Sequence, residues 1–212
     1  MSRVVQPAGE RGSLKWIQRF VNERPTDLNS LILPHLNGAS SIDWLSPRSD
    51  DGFAEYRDAA FLDRLGENDL SVALSEFWPK RGPQWDALAR SDNGDLLLIE
   101  AKAHVGEVCS PGTQSRAISR SLIEASLGAT SEALGATPRA PWADVFFQYA
   151  HRLAHLDFLR RVHGRPAWLV FVYFVGDTEM RGPKSQAEWR AALKVVKHVM
   201  GLPEKHALSR YV

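Results

Sequence analysis

The clearest pattern of apolar and polar positions in this chain is a pair of largely apolar runs, residues 85–88 and 96–102, on either side of the polar segment 91–95. That segment contains an Asn-Gly pair, which between two such runs predicts a β-hairpin. A three-residue loop over 92–94, with Gly94 in the left-handed conformation, determines which residues face each other across the two strands. The hairpin is therefore the first element that the sequence predicts.

This loop places Asp86 opposite Glu100, and Lys102 shares the face of Glu100 because side chains alternate along a strand. A two-residue loop would instead turn Asp86 to the opposite face. Two carboxylates about 5 Å apart repel each other unless a cation lies between them. Such oxygen ligands bind Mg²⁺, which lowers the pKa of a bound water in phosphodiester hydrolysis, and a nearby lysine orients that water. The alternative interpretation is a structural cross-strand ion pair.

Asp86, followed after thirteen residues by Glu100-Ala101-Lys102 at the end of an apolar strand, resembles the motif of the PD-(D/E)XK nuclease superfamily. The residue before the aspartate is Trp85 instead of proline, at a position that varies widely in the superfamily. The resemblance implies a restriction-endonuclease-like fold with an αβββαβ core. It also implies that Asp86 and Glu100 bind Mg²⁺ or Mn²⁺ and that Lys102 assists catalysis.

The remaining pattern predicts an α/β protein with a mixed sheet flanked by helices. Helical spacing of apolar residues predicts helices over residues 14–23, 53–65, 113–134, 142–162 and 185–200. Further strands are predicted over 71–78 and over the continuous apolar run 167–175. The helix at the N-terminus and one after the hairpin are additions to the core. We predict one domain over residues 1–212 with its core at about 53–176, a loose arm over 1–13 and a lid or connecting loop over 25–52.

Composition limits the class of protein without selecting a substrate. The chain has 212 residues, 44% of them hydrophobic, and a net charge of +1, which neither supports nor excludes a nucleic-acid partner. Its single cysteine, Cys109, excludes an internal disulfide and a cysteine-rich zinc site. No signal peptide is evident and the run 167–175 is too short to cross a bilayer, so we expect a cytoplasmic protein without a membrane partner.

Further candidate site residues follow from the resemblance and from spacing. The superfamily usually takes one more carboxylate from its first helix, where Glu55 is the candidate, while Glu76 competes because a chain turn could bring it beside Asp86. Gln148 and Arg152 are four residues apart on a predicted helix and share a face. RecB-like members carry a glutamine and a tyrosine at this spacing, and here the tyrosine position is Arg152. The alternatives are a solvated glutamate and polar residues that satisfy one another in the core.

Basic residues provide candidate contacts with nucleic-acid phosphates: Lys80, Arg81, Arg116 and Arg120. Such pairs commonly form only a solvated surface, and Lys80 and Arg81 are favoured because their turn abuts Asp86. His151 and His155 also share a helix face, but the pair lacks the glutamate and the third ligand of a zinc site.

Together these features predict a Mg²⁺- or Mn²⁺-dependent nuclease that hydrolyses phosphodiester bonds in DNA, with a homodimer as a further hypothesis. Two alternatives remain at this stage. One is a catalytically silent nuclease-fold module that binds DNA or protein, and the other is a hydrolase of small phosphoesters, for which we expect a closed pocket.

Overall fold

The computed structural model describes residues 2–212. Over these residues the helices are α1 (Gly12–Glu23), α2 (Pro25–Ile32), α3 (Ala59–Leu65), α4 (Ser71–Phe77), α5 (Ala117–Ala133), α6 (Phe147–Asp157) and α7 (Gln186–Val199). The strands are β1 (Arg3–Val4), β2 (Ile42–Ser46), β3 (Glu55–Tyr56), β4 (Ala87–Ser91), β5 (Leu96–Lys102) and β6 (Ala167–Tyr173). None of these helices is long and apolar enough to cross a membrane.

The main sheet has the strand order β2-β4-β5-β6. The first three strands are antiparallel to their neighbours, whereas β6 runs parallel to β5. The connection from β5 to β6 contains α5 and α6, as a parallel pair requires a long crossover. The predicted mixed sheet flanked by helices is therefore confirmed. A separate two-stranded sheet pairs β1 with β3.

Alternation along β5 separates two apolar layers, one on each face of the sheet. Leu96 and Leu98 pack into a core with the helices that follow β2, including α3 to α6, whereas Leu97 and Ile99 pack against α1 and α2. By the same alternation, the next even-numbered residues of β5 face α6. This geometry determines which helix can approach a polar group at the end of β5.

The predicted hairpin register is confirmed. Ala87 is paired with Ile99 across the two strands, and continuing the pairing outward by one residue sets Asp86 opposite Glu100. At the turn, the Ser91 amide donates to the Asp95 carbonyl over 3.0 Å, and Gly94 adopts a φ of 92°. Because a positive φ costs glycine little, the three-residue loop forms and holds the register.

The strand predicted over 71–78 is wrong, because these residues form α4. Leu70, Leu74 and Trp78 are buried at four-residue spacing, whereas Val72 is 71% exposed, which is a helical pattern. The predicted loop over 25–52 is also wrong in part, since it contains α2 and β2. The first strand of the sheet is consequently β2. Its few apolar residues are flanked by polar ones, so the sequence pattern did not predict a strand there.

Two further expectations differ from the structure near the N-terminus. The arm predicted over 1–13 is docked from residue 2 onward, because β1 pairs with β3, and α1 begins at Gly12, while residue 1 lies outside the described residues. The helix predicted over 53–65 begins only at Ala59, since Phe53 and Asp58 have φ values of 49° and 52° that a helix excludes. A two-residue strand pair carries no periodicity that a sequence could reveal.

Predictions for the second half of the chain agree better. The apolar run forms β6, and the C-terminal helix is α7, with Ser185 as its N-cap accepting a hydrogen bond from the Glu188 amide over 3.3 Å. The predicted long helices are shorter than expected, beginning at Ala117 for α5 and at Phe147 for α6. The element that reaches the end of β5 is α6.

Candidate functional site

Charged side chains gather where the hairpin opens, on the face of the sheet that α6 covers. Glu100 and Lys102 are on β5, and Asp86 directly precedes β4. Glu100 is only 2% exposed and Lys102 9% exposed, so both charges are removed from water. Buried charges are stable only when they are paired or bound. The predicted triad is thus brought to one place.

Glu100 is held by a cation on each oxygen. Lys102 Nζ donates to Glu100 Oε1 over 2.5 Å, and Arg152 Nε donates to Glu100 Oε2 over 2.5 Å. Arg152 is 4% exposed, so its pair with Glu100 is a buried one. Arg152, which sequence spacing placed on α6, therefore lies within the charged cluster.

Gln148 joins the cluster one helical turn before Arg152. Its Oε1 accepts a hydrogen bond from Lys102 Nζ over 3.0 Å. A small cavity of about 10 Å³ adjoins these groups and is lined in part by Glu100, Lys102, Gln148 and Glu107. This volume corresponds to roughly one water molecule.

Arg152 is also positioned from its other side. Its Nη2 donates to the Gln84 carbonyl over 2.5 Å, and its guanidinium lies 4.5 Å from the ring centre of the buried Trp85. Its Nη1 is buried and has no hydrogen-bond acceptor among residues 2–212. An unpaired buried donor costs about 1–3 kcal/mol. A ligand that accepts a hydrogen bond from Nη1 would remove this cost.

Glu55 also belongs to the cluster, although it lies on β3 and not on a helix. The Trp85 amide donates to the Tyr56 carbonyl over 3.0 Å, which ties β3 to the chain just before Asp86. Glu55 is 4% exposed, and its Oε2 accepts from Gln6 Nε2 over 2.8 Å and from Gln84 Nε2. The structure thus brings the candidate Glu55 beside Asp86 and Glu100.

The competing acid, Glu76, does not join the cluster. It is exposed on α4, the element that was predicted to be a strand. A helix there removes the fold-back that would have brought Glu76 beside Asp86. The prediction for Glu76 is therefore wrong.

The carboxylates affect one another. Burial, followed by the negative charge of Glu100, raises the pKa of Asp86 well above its ordinary value. Burial likewise raises the pKa of Glu55. Asp86 Oδ2 accepts a hydrogen bond from the Ala101 amide over 2.7 Å, which fixes the carboxylate across from Glu100. Burial and the neighbouring carboxylate thus disfavour ionisation of Asp86 and Glu55 despite the two nearby cations.

No three His, Cys, Asp or Glu side chains within residues 2–212 already form the ligand shell of a metal ion. The donor chemistry nevertheless fits a hard divalent cation, because Asp86, Glu100 and Glu55 supply carboxylate oxygens. A cation would also offset the repulsion that raises the pKa of Asp86. Asp86 and Glu100 therefore fit Mg²⁺ or Mn²⁺ by chemistry, while their present arrangement is closed by Arg152 and Lys102.

His151 and His155 are core residues on the same helix. Burial lowers the pKa of His155 to about 3 and that of His151 well below its ordinary value, so both rings are neutral at pH 7. His155 Nδ1 contacts the His151 carbonyl over 2.8 Å, and since a carbonyl only accepts, this nitrogen carries the proton. Trp78 and Phe147 pack against the two rings.

The four candidate phosphate contacts do not form one surface. Lys80 and Arg81 line a separate cleft together with His155. Arg120 is engaged by Glu124 over 2.7 Å and by Asp144 over 2.6 Å. Arg116 is exposed just before α5. Lys80 and Arg81 consequently remain the stronger candidates.

Sequence reasoning missed Gln84, Gln6 and Glu107. Gln84 is two residues before Asp86, so alternation alone was a signal that both share a face. Gln6 carried no signal, because it reaches Glu55 only through the β1–β3 pairing. Glu107 accepts a hydrogen bond from the Ala103 amide over 2.5 Å and closes the loop after Lys102.

Comparison of the chain with protein-family models, with curated proteins and with solved structures finds no match.

Proposed function

We propose that this protein is a metal-dependent nuclease of the restriction-endonuclease-like class, acting on DNA. The observation that carries the proposal is the convergence of Asp86, Glu100 and Lys102 at the open end of one hairpin, with the predicted register and with Glu55 beside them. The chain order supports it as well, since the antiparallel strands β2, β4 and β5 are followed by α5 and α6 and then by the parallel strand β6.

In the proposed site, Asp86 and Glu100 hold Mg²⁺ or Mn²⁺, and Glu55 adds negative charge beside them. When bound, such a cation polarises the scissile phosphate and lowers the pKa of a coordinated water. Lys102 lies beside the cavity of about 10 Å³, where its ammonium is placed to orient a water molecule or offset charge that develops on the phosphate. Gln148 holds the ammonium of Lys102 in this position.

The unpaired Nη1 donor of Arg152 favours a substrate that carries phosphate. Its Nη1 donor has no acceptor within residues 2–212, although the side chain is almost fully buried. A phosphate oxygen, like a carboxylate oxygen, is an acceptor whose geometry a guanidinium matches. Binding of the scissile phosphate would therefore complete the hydrogen bonding of Arg152 while drawing it away from Glu100, which frees a carboxylate oxygen for the cation.

A second candidate function is a catalytically silent module that uses the same fold to bind DNA or protein. Both oxygens of Glu100 are occupied by Lys102 and Arg152, and this observation favours a structural ion cluster. A structural cluster needs no divalent cation, so cation-dependent activity separates the two functions.

The test is cleavage of supercoiled plasmid DNA in Mn²⁺ by wild type, Asp86→Asn, Glu100→Gln and Lys102→Met. Asp92→Asn is the matched control, because Asp92 is an exposed aspartate at the other end of the same hairpin. We expect wild type and the control to cut, and the other variants to be inactive. Equal behaviour of wild type and all three variants would contradict the nuclease and support the silent module.

A further inference from the structure

A second cleft is lined in part by the chain segment that precedes Asp86. Its volume is about 500 Å³, which is typical of a site for a small ligand. Serine hydroxyls, cationic side chains and an apolar floor line it: Ser2, Ser71, Ser75, Arg57, Lys80, Arg81, Leu74 and Trp78. The candidate active site uses none of these residues.

The charge of this cleft is positive. Arg57 lies 4.0 Å from Asp58, so these two opposite charges offset each other. Lys80 and Arg81 make no ion pair with any acid between Ser2 and Val212, and His155 at the base of the cleft is neutral because burial lowers its pKa to about 3. Two positive charges therefore line the cleft without an acidic partner in the part of the chain that the structure describes.

The backbone that carries these cations is held in place. The amides of Arg81 and Gly82 donate to the Asp58 carboxylate over 3.3 and 2.9 Å, and Ser2 Oγ donates to it over 3.4 Å. Arg81 has a φ of 70°, a conformation that costs a non-glycine residue about 1–3 kcal/mol unless its surroundings enforce it. A fixed loop lowers the entropy that ligand binding must overcome.

We propose that this cleft binds the phosphomonoester group of a nucleotide. A phosphomonoester is close to doubly negative at neutral pH and so matches the two positive charges, whereas an internal phosphodiester carries only one negative charge. The Ser71 hydroxyl supplies a further donor, whereas those of Ser2 and Ser75 already donate to Asp58 and to the Val72 carbonyl, and the apolar floor formed with Leu74 and Trp78 suits the sugar or base. The group can come from a free mononucleotide or from the phosphorylated end of a strand.

The cleft and the carboxylate cluster share two chain segments. Asp58 follows Glu55 by three residues, and Gly82 precedes Asp86 by four. Four residues of extended chain limit the distance between the Cα atoms of Gly82 and Asp86 to about 14 Å. A strand whose end is held in the cleft would place a phosphodiester near Asp86 within roughly four nucleotides. The binding proposal itself does not depend on the proposed nuclease activity.

The test is binding of a fluorescent oligothymidylate that carries either a phosphate or a hydroxyl at its unlabelled end, measured by anisotropy in EDTA at fixed ionic strength. The variants are Lys80→Glu and Arg81→Asn, the latter because asparagine tolerates a positive φ. Lys194→Glu is the matched control, since Lys194 is exposed on α7 and does not line the cleft. Thymidine monophosphate is the competitor.

We expect the wild type to prefer the phosphorylated strand by about tenfold or more, and each cleft variant to lose that preference. Competition by thymidine monophosphate would assign the source to a free nucleotide, and its failure to compete would assign it to the strand end. Equal binding of both strands by wild type, or equal losses in Lys80→Glu and Lys194→Glu, would overturn the proposal. If only the nuclease proposal fails, wild type and Asp86→Asn both keep the preference for the phosphorylated strand although neither cuts DNA.

Discussion

The two ends of one hairpin place the same residue type in opposite environments. Asp92, in the turn, is exposed and accepts hydrogen bonds from Ser40, which lowers its pKa. Asp86, at the open end, lies against Glu100, and burial together with that charge raises its pKa well above the ordinary value. The difference shows that the fold stabilises one carboxylate and disfavours ionisation of the other, which is common where a residue serves chemistry.

The comparison also separates structural from functional polar groups. In the turn, the hydrogen bonds of Asp92 and Ser91 close the loop, and Asp95 Oδ2 is a buried acceptor without a donor among residues 2–212. At the open end, three carboxylates face two cations, and Arg152 Nη1 has no acceptor within residues 2–212. We interpret this imbalance as the signature of a site whose ligand completes it.

The largest expected effect comes from removing the cation that offsets Glu100. Arg152→Met leaves Glu100 Oε2 and the Gln84 carbonyl without their donor in a buried place. We expect the free energy of unfolding to fall by about 3–5 kcal/mol, measured by urea denaturation. Arg120→Met is the control, because its ion pairs are exposed and should cost no more than about 1 kcal/mol. Equal losses in the two variants would contradict the buried cluster.

The second effect concerns activity at the two ends of the hairpin. Asp86→Asn should lower the rate of Mn²⁺-dependent plasmid cleavage by at least about a hundredfold, because it removes a ligand of the proposed cation. Asp92→Asn should cut at the wild-type rate. A comparable loss in both variants would show that the activity does not reside at the open end.

The third effect distinguishes the two acids proposed as the additional carboxylate. Glu55→Gln should lower cleavage by about tenfold, since Glu55 is buried beside the proposed cation site without being its main ligand. Glu76→Gln should leave cleavage unchanged, because Glu76 is exposed on α4. A larger loss in Glu76→Gln than in Glu55→Gln would mean that Glu76, and not Glu55, belongs to the cluster in solution.

A smaller effect concerns stability and its dependence on pH. Folding raises the pKa of Asp86 above the value of about 4 that it has in the unfolded chain. The wild type therefore loses stability as pH rises from about 4 through the pKa of Asp86 in the folded protein. Asp86→Asn removes this cost while its side-chain oxygen still accepts from the Ala101 amide. We expect the inactive variant to be about 0.5–2 kcal/mol more stable at neutral pH. Urea titrations should show this advantage disappearing as pH falls toward 4.

The smallest effect has the opposite sign. The lowered pKa of Asp92 contributes stability above its unfolded pKa, and that contribution is lost as pH falls through the folded pKa. Asp92→Asn should therefore be slightly less stable than wild type at neutral pH and equal to it in acid. A stabilising effect of Asp92→Asn would show that the two aspartates do not differ as described.

The elements that the sequence predicted well are those with a strong local signal. The Asn-Gly turn and strict alternation determined the hairpin register, and through it the positions of Asp86, Glu100 and Lys102. Spacing along one helix brought Gln148 and Arg152 to the same site. These contacts depend on local geometry or on a four-residue helical repeat, both of which are visible in a sequence.

The remaining features depend on tertiary contacts that leave no periodic trace. Glu55 was proposed as part of a helix, yet it reaches the site because β3 pairs with β1 and contacts Trp85. Residues 71–78 alternate in part and also fit a helix, and packing of Leu74 and Trp78 selects the helix. Short apolar runs of this kind are ambiguous until their neighbours are known.

A cation site at the open end of the hairpin can be tested by calorimetric titration of Mn²⁺ into wild type, Asp86→Asn and Asp92→Asn. We expect wild type and Asp92→Asn to bind Mn²⁺ alike, and Asp86→Asn to bind it at least about tenfold more weakly. Absence of Mn²⁺ binding by the wild type, or equal binding by all three proteins, would contradict a cation site at the open end of the hairpin.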